Sequence, residues 1–343
     1  MADLGVVLSE PGRVALEEIR VDGPGEGEVL VRVAATGVCH SDQHIIDEDG
    51  WGHALPVLLG HEAAGTVEQV GAGVESVQPG DRVLLGWKTA CGVCDACLRG
   101  APRRCRRPPA AGGRLRRADG TVLTPVLRTG TFATRTVVPE VAVVPIPAEL
   151  PFEQACLIGC AVATGVMSVL EVAQVWEGAR VAVIGCGAVG LSVIQGARIA
   201  RASEIRAIDL DPRKLEQARR FGATHVQPGP VDFVFDVVAL GSTFEQGLSL
   251  LQRGGTYVLI GLSPSGQRAE IDLPALFAKR ATIVVSHGGD YVARDDFPRL
   301  VRLAVDGQLD LAGMVTRTAP LDEWQEALDA MRGGEVIRTV LTT

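Results

Sequence analysis

Four cysteines crowd the stretch ACGVCDACLRGAPRRC, Ala90 to Cys105, at C-x2-C-x2-C-x7-C spacing. The N-terminal MADLGVVLSEPGRVALEEIR lacks the basic start, apolar run and small-residue cleavage site of a secretory leader, so a cytosolic chain with reduced thiols is expected. Loops this short fold thiolates around a tetrahedral metal. Cys91, Cys94, Cys97 and Cys105 are therefore expected to hold zinc, with an iron–sulfur cluster as the rival. Four thiolates leave zinc no open position, and such a site staples a loop without doing chemistry.

Reactive chemistry needs a different set. TGVCHSDQH, LGHEAAG and IGCAVATG supply Cys39, His61 and Cys160, two thiols and an imidazole that would leave a fourth metal position open. Taken singly, each is as readily structural, because buried cysteine packs as a small hydrophobe and a lone histidine is usually hydrogen-bonded in a core. A third signal is Gly185-Cys186-Gly187-Ala188-Val189-Gly190, which follows ARVAVI and opens LSVIQGARIA. Between a strand and a helix these glycines permit a tight turn, close approach of a pyrophosphate and close helix packing, with phosphate charge at the helix N-terminus. Asp209 stands nineteen residues after Gly190, where a carboxylate takes ribose hydroxyls and repels a 2′-phosphate. NAD is favoured over NADP.

Two kinds of scaffold must position these groups. From Gly5 to about Leu150, β-branched runs such as EVLVRVAATGV and DRVLLGW alternate with Gly, Pro and Asp, predicting a mainly antiparallel, barrel-like domain. After Pro151, apolar runs alternate with helical patterns, predicting a parallel, doubly wound α/β sheet. From roughly Asp290 the helical DEWQEALDAMRGG and the strand VIRTVLT are expected to return to the first domain. One link is too short: only Pro228, Gly229 and Pro230 separate ATHVQ from VDFVFDVV, and three residues reach only about 10 Å. His225 and Val226 are thus predicted to form at most a vestigial edge strand with no helix after it.

Composition narrows the function. The chain has 343 residues, 47% of them hydrophobic, and no apolar run long enough to cross a bilayer, so two domains and no membrane partner are expected. A net charge of −8 argues against nucleic acid. The basic stretch Arg99 to Arg117 is expected to be a solvated loop around the metal lobe.

The sequence resembles the zinc-containing medium-chain alcohol dehydrogenases over essentially its whole length, on GVCHSD, GHEAAGTVEQVGAGV, CGVCDACLRGAPRRC, IGCAVATG, GCGAVG followed by Asp209, and VIRTVLT. GWKTACGVCDAC, ADGTVLTPVLRTGTF and the ending are similar to the formaldehyde-metabolising branches, which oxidise S-hydroxymethyl adducts of glutathione or mycothiol. The resemblance implies an α/β protein in which a Rossmann doubly wound parallel sheet accompanies a mainly antiparallel β, GroES-like catalytic domain. It places that catalytic domain at 1–161 with a zinc lobe at about 88–113, the NAD domain at 162–287, and the return segment at 288–343.

By the same resemblance, two Zn2+ bind per subunit: a catalytic ion on Cys39, His61 and Cys160, and a structural ion on Cys91, Cys94, Cys97 and Cys105, which favours zinc over a cluster. Glu62 takes the place of a carboxylate that approaches the metal during ligand exchange. Ser41 matches the hydroxyl that takes the alcohol proton and His44 the histidine that passes it on. His40 and Arg338 match pyrophosphate contacts, Lys214 a contact near the adenosine ribose, Val189 the residue behind the nicotinamide, and Trp87 a wall of the substrate pocket. Cys156 and Cys186 match no role and are expected to be packing residues. The implied activity is NAD-dependent interconversion of an alcohol and its carbonyl. A thiol-adduct dehydrogenase, a biosynthetic tailoring enzyme, a zinc-free reductase and a non-catalytic NAD-binding zinc protein are the alternatives. A cytoplasmic homodimer or homotetramer is implied, pairing through an edge strand near Ala269 to Leu273, with a small alcohol or carbonyl, and for the adduct reading a low-molecular-weight thiol, as partners.

Overall fold

The structure, a computed structural model, describes residues 2–263 and 266–343. Two compact units are built from it: one runs to Cys160 and resumes at Val292, and the other is Ala161–Tyr291. These junctions lie one and four residues from the bounds 161/162 and 287/288 expected from the sequence.

In the first unit the strands are β1 (Asp3–Glu10), β2 (Arg13–Val21), β3 (Glu28–Gly37), β4 (Val57–Leu58), β5 (Ala63–Val70), β6 (Arg82–Leu85), β7 (Leu115–Arg117), β8 (Thr124–Pro125), β9 (Arg135–Pro139) and β10 (Val143–Pro145). The second unit holds β11 (Arg180–Ile184), β12 (Glu204–Ile208), β13 (Val231–Asp236), β14 (Leu251–Leu259) and β15 (Thr282–Val285). The chain then adds β16 (Val315–Pro320) and β17 (Arg338–Thr342) to the first unit.

Strand β3 is the axis of the first unit. Its EVLVRVAATG is buried at nearly every position, so both faces need cover, and it pairs with β5 and β9 along its length and with β17 at its end. Close approach is enforced at Gly65, where a Cβ would stand 2.1 Å from the Arg32 carbonyl oxygen. Among the described residues the sheets run β7-β2-β1-β4-β8 and β10-β6-β5-β3-β17-β16. The return of the C-terminal segment to the first unit is thus physical: Val340 to Thr342 of β17 lie antiparallel to Ala35 to Gly37.

The second unit is a parallel sheet in the order β12-β11-β13-β14-β15. Beyond β12 there is an isolated parallel bridge, Arg206 to His225, and no helix stands between it and β13, as the three-residue link requires. The edge strand expected near Ala269 to Leu273 is not one: 269–272 are irregular, Leu273 opens the helix Leu273–Lys279, and the far edge is β15. Pro274 in the first turn and the Asp272 carboxylate, which accepts the Ala275 N–H at 3.0 Å, favour a helix start over a strand there. The basic stretch also differs from a plain solvated loop. Arg103 bridges Asp296, while Arg114, Arg116 and Arg117 reach back to Glu28, Asp22 and Glu17. Carboxylates distant in sequence create those pairs, and no local charge pattern announces them.

Asp236 closes β13 fully buried and accepts four hydrogen bonds, from the Val238 and Ala239 N–H groups, Thr243 Oγ1 and Tyr257 Oη. Asp236→Ala strands those donors in a core. The expected loss is about 3 kcal/mol of stability, read by urea unfolding of the full chain, whereas a change under about 1 kcal/mol would contradict the role.

Candidate functional site

The first unit gathers Cys39, His61, Glu62 and Cys160, with one ligand atom of each lying within 4.8 Å of the others. Local structure explains how. Strand β3 ends at Gly37, where a Cβ would sit 2.3 Å from Glu62 Oε2, so only glycine leaves room for that carboxylate. Cys39 follows in extended conformation and caps the helix His40–Asp47. His61 follows Gly60, whose φ of 85° and a Cβ position 2.3 Å from Phe132 N both demand glycine. Cys160 ends the short turn Cys156–Gly159, and a Cβ on Gly159 would meet the Leu85 carbonyl oxygen at 2.9 Å.

A residue the sequence reading passed over holds the set together. Asp42, fully buried at the third position of the helix, accepts the Cys39 N–H at 3.2 Å, the Gly60 N–H at 3.1 Å and His61 Nδ1 at 3.3 Å. The spacing Cys39-x-x-Asp42 is a capping-box signal, which marks the helix start and does not announce the bond to His61. With Nδ1 donating to Asp42, the His61 lone pair is on Nε2, which is buried without a hydrogen-bond partner. An orphaned acceptor beside two buried sulfurs is what a metal ion satisfies, and the soft donor set suits zinc.

Charge in the cluster follows from burial. The Cys39 thiol is held well below its ordinary value by the hydrogen bond from Cys160 and by the Arg338 guanidinium, against burial. Burial pulls His61 down, but the Asp42 carboxylate outweighs it and raises the imidazole. Burial pushes the Glu62 carboxyl up to about 8, with Arg338 pulling the other way. Arg338, from β17, donates to Glu62 Oε1 at 2.8 Å and to the Val38 carbonyl at 2.6 Å. The structure therefore places Arg338 behind Glu62, only 4% exposed, with its Nε buried.

Ser41 stands at the cluster, its Oγ 3.7 Å from Cys39 Sγ. His44 lies one turn on with Nδ1 3.9 Å from Glu48, His40 is exposed, and Trp87 is buried just beyond β6. In the lobe, sulfur separations of 4.0, 3.5 and 3.9 Å join Cys91 to Cys97, Cys94 to Cys97 and Cys94 to Cys105. A ZnS4 tetrahedron with bonds of ~2.3 Å has edges of ~3.8 Å, so the four thiols fit one ion. Backbone N–H groups of Arg106 and Cys97 bring the Cys94 thiol down to about 6. Cys156 and Cys186 are fully buried, and burial pushes Cys156 well up and Cys186 up to about 12, as suits packing residues.

The second unit holds the glycine turn. Gly185 has φ 92°, a Cβ on Gly190 would collide with the Gly185 carbonyl at 1.9 Å, and space around Gly187 is open for an incoming group. Val189 stands in the first turn of the helix Ala188–Ile199. Asp209, just past β12, accepts the Cys186 N–H at 2.7 Å and the Asp211 N–H at 2.9 Å, which locks its carboxylate at the turn. Lys214 lies in the helix Pro212–Phe221 that follows. The turn is shaped for a dinucleotide pyrophosphate.

Comparison with known proteins agrees with this chemistry. Residues 25–148 match the alcohol dehydrogenase GroES-like domain, and residues 188–306 match the zinc-binding dehydrogenase family. An S-(hydroxymethyl)glutathione dehydrogenase of Escherichia coli O1:K1 / APEC is 38% identical over 368 residues, covering 99% of this chain and 100% of that protein. Among solved structures, an alcohol dehydrogenase zinc-binding domain protein from Burkholderia ambifaria superposes with a TM-score of 0.93 at 32% identity, covering 100% of this chain and 99% of that one. Benzyl alcohol dehydrogenase from Acinetobacter calcoaceticus superposes with a TM-score of 0.91 at 28% identity over the same shares.

Asp42→Ala frees the His61 ring and removes three acceptor contacts. Chelator competition followed by metal analysis is expected to show about 10- to 100-fold weaker retention of one zinc while the lobe keeps its own. Equal loss from both would deny Asp42 its orienting role.

Proposed function

From the premise that the chain belongs to the zinc-dependent medium-chain alcohol dehydrogenase family, we propose that it moves a hydride between an alcohol, or its aldehyde or ketone, and NAD(H). The observation that carries this reading is the buried Cys39, His61 and Cys160 set with its unmatched Nε2. Bound there, zinc supplies the Lewis acidity that lowers an alcohol hydroxyl's pKa toward neutrality.

The chain's own residues do the rest. Ser41 Oγ is placed to receive the hydroxyl proton and His44 to hand it to solvent, and bound NAD would supply the hydride acceptor, so that alcohol and NAD would give carbonyl, NADH and a proton. Arg338 keeps the Glu62 carboxyl anchored behind the metal ligands. The turn from Gly185 to Gly190, with Val189 and Lys214, binds the dinucleotide, and Asp209 selects NAD. Cys91, Cys94, Cys97 and Cys105 hold a second, structural zinc, giving two ions per subunit.

The relatives named S-(hydroxymethyl)glutathione dehydrogenase support a second reading, oxidation of a hydroxymethyl thiol adduct. A second copy of the chain is the proposed partner. The open edge of β15 and the neighbouring helix expose Leu273, Phe277, Ile283 and Val285, an apolar margin suited to pairing with its own copy. No single helix among the described residues is long and apolar enough to cross a membrane.

NADH absorbance tests the reaction on zinc-loaded protein with hexanol, benzyl alcohol, and formaldehyde with and without glutathione or mycothiol. Turnover with NAD in preference to NADP is expected, and Ser41→Ala should lower kcat about 100-fold or more. Turnover of formaldehyde only with a thiol selects the adduct reading, and no turnover on any member rejects the proposed reaction. Val285→Lys is expected to yield a lower-mass species by light scattering, whereas an unchanged mass would exclude this edge.

A further inference from the structure

Arg82, the first residue of β6, is held in a way that the hydride chemistry does not explain. Its Nη2 donates to the Leu150 carbonyl at 2.8 Å, and its Cζ stands 3.7 Å from the centre of the Phe152 ring. Its Nε is buried without a hydrogen-bond partner. Arg103, Arg114, Arg117 and Arg135 each meet a carboxylate, whereas the partners of Arg82 among the described residues are a carbonyl and an aromatic face. Partial burial strengthens the attraction of a guanidinium to such a face, because less water competes for the charge.

What Arg82 grips is the root of the segment that delivers Cys160. From Leu150 the chain passes Pro151, makes two short turns, Phe152–Ala155 and Cys156–Gly159, and reaches Cys160. Four residues are too few to hold a helix by its own hydrogen bonds, and neither turn carries a side-chain cap. The position of the segment must therefore come from its neighbours. Strand β6 supplies a contact at each end: Arg82 holds Leu150 and Phe152, and the Leu85 carbonyl lies 2.9 Å from where a Cβ on Gly159 would stand. That Cβ would also stand 3.4 Å from Glu62 Cα, so the far end is wedged against the residue that follows His61. Asp42 bonds Cys39 and His61, while Cys160 comes to the set on this segment.

We propose that Arg82 is a positioning residue for the metal centre: through Leu150 and Phe152 it fixes the two turns that bring the Cys160 thiol to Cys39 and His61. The proposal rests on the reading of those three residues as the metal centre of the reaction, and adds the device that delivers its third ligand. Loss of the guanidinium leaves the contact between Leu85 and Gly159 in place and releases the other end. Cys160 then gains play, while Cys39 and His61 stay tethered to Asp42. A ligand with that freedom weakens metal retention more than it weakens the fold.

The test uses the zinc-loaded full chain and the variants Arg82→Met, Arg82→Lys and Phe152→Leu. Chelator competition is expected to take zinc from the buried set about 10-fold more readily in Arg82→Met and in Phe152→Leu, with the lobe zinc unchanged and Arg82→Lys between Arg82→Met and the parent. The double variant Arg82→Met/Phe152→Leu is expected to lose little more than Arg82→Met alone, since both changes remove one contact. After metal removal, iodoacetamide labelling read peptide by peptide is expected to modify Cys160 about 10-fold faster in Arg82→Met than in the parent, with Cys39 unchanged. Equal weakening of both zinc sites, or faster labelling of both cysteines, would show a general loss of stability and overturn the proposal, as would retention and labelling equal to the parent. Should Arg82→Met fail to fold, Phe152→Leu keeps an apolar side chain and gives the same comparison. A parent that binds no zinc at the buried set would overturn the metal reading, and labelling of Cys160 against Cys39 would still decide Arg82.

Discussion

Burial of charge around the Cys39, His61 and Cys160 set is the constraint on which the first unit depends. Asp42, Glu62 and Arg338 are all removed from water, and an ionisable group in such a place is tolerated only when its partners are supplied by the fold. Asp42 obtains them from Cys39, Gly60 and His61, joining the helix after β3 to the loop before β5. Glu62 obtains Arg338, a residue 276 positions away, whose strand β17 completes the sheet beside β3. The ion pair and the strand pairing are therefore one arrangement, and the C-terminal segment is part of the metal cluster's support.

That support leaves the ligand atoms oriented and otherwise idle. His61 is tethered by one ring nitrogen so that the other is presented, and glycine at 37, 60 and 159 lets three backbone segments crowd around the sulfurs. The lobe solves a simpler problem. Its thiols are joined by sequence-local loops and partly exposed, so it needs no buried charge network, only closely spaced cysteines. On the proposed reading, the lobe would serve as a closed staple and the buried set as an open centre.

Much of this was legible in the sequence wherever the determinant is local. Cys91 to Cys105, the turn from Gly185 to Gly190 and the alternation of strand and helix after Pro151 declare themselves by spacing, and the short Pro228 to Pro230 link foretold an isolated bridge at His225. Legibility failed where the determinant is a partner distant along the chain. Arg338 gave no sign that it would face Glu62, and the arginines of the lobe did not disclose Glu17, Asp22, Glu28 and Asp296. The edge strand near Ala269 to Leu273 was expected from the family resemblance, but Asp272 and Pro274 encode a helix start, and helix-capping chemistry prevailed. Asp42 was missed for the opposite reason: an acid three residues after a cap is so ordinary a helix signal that its bond to His61 appears only in three dimensions.

The most direct test of the central claim is the visible spectrum of protein in which cobalt replaces zinc, recorded with and without an alcohol and compared with Cys160→Ala. Thiolate-to-cobalt bands from two sites are expected, one set shifting when alcohol is added and vanishing in the variant. A spectrum that ignores alcohol, or is identical in the variant, would contradict an open metal centre on Cys39, His61 and Cys160.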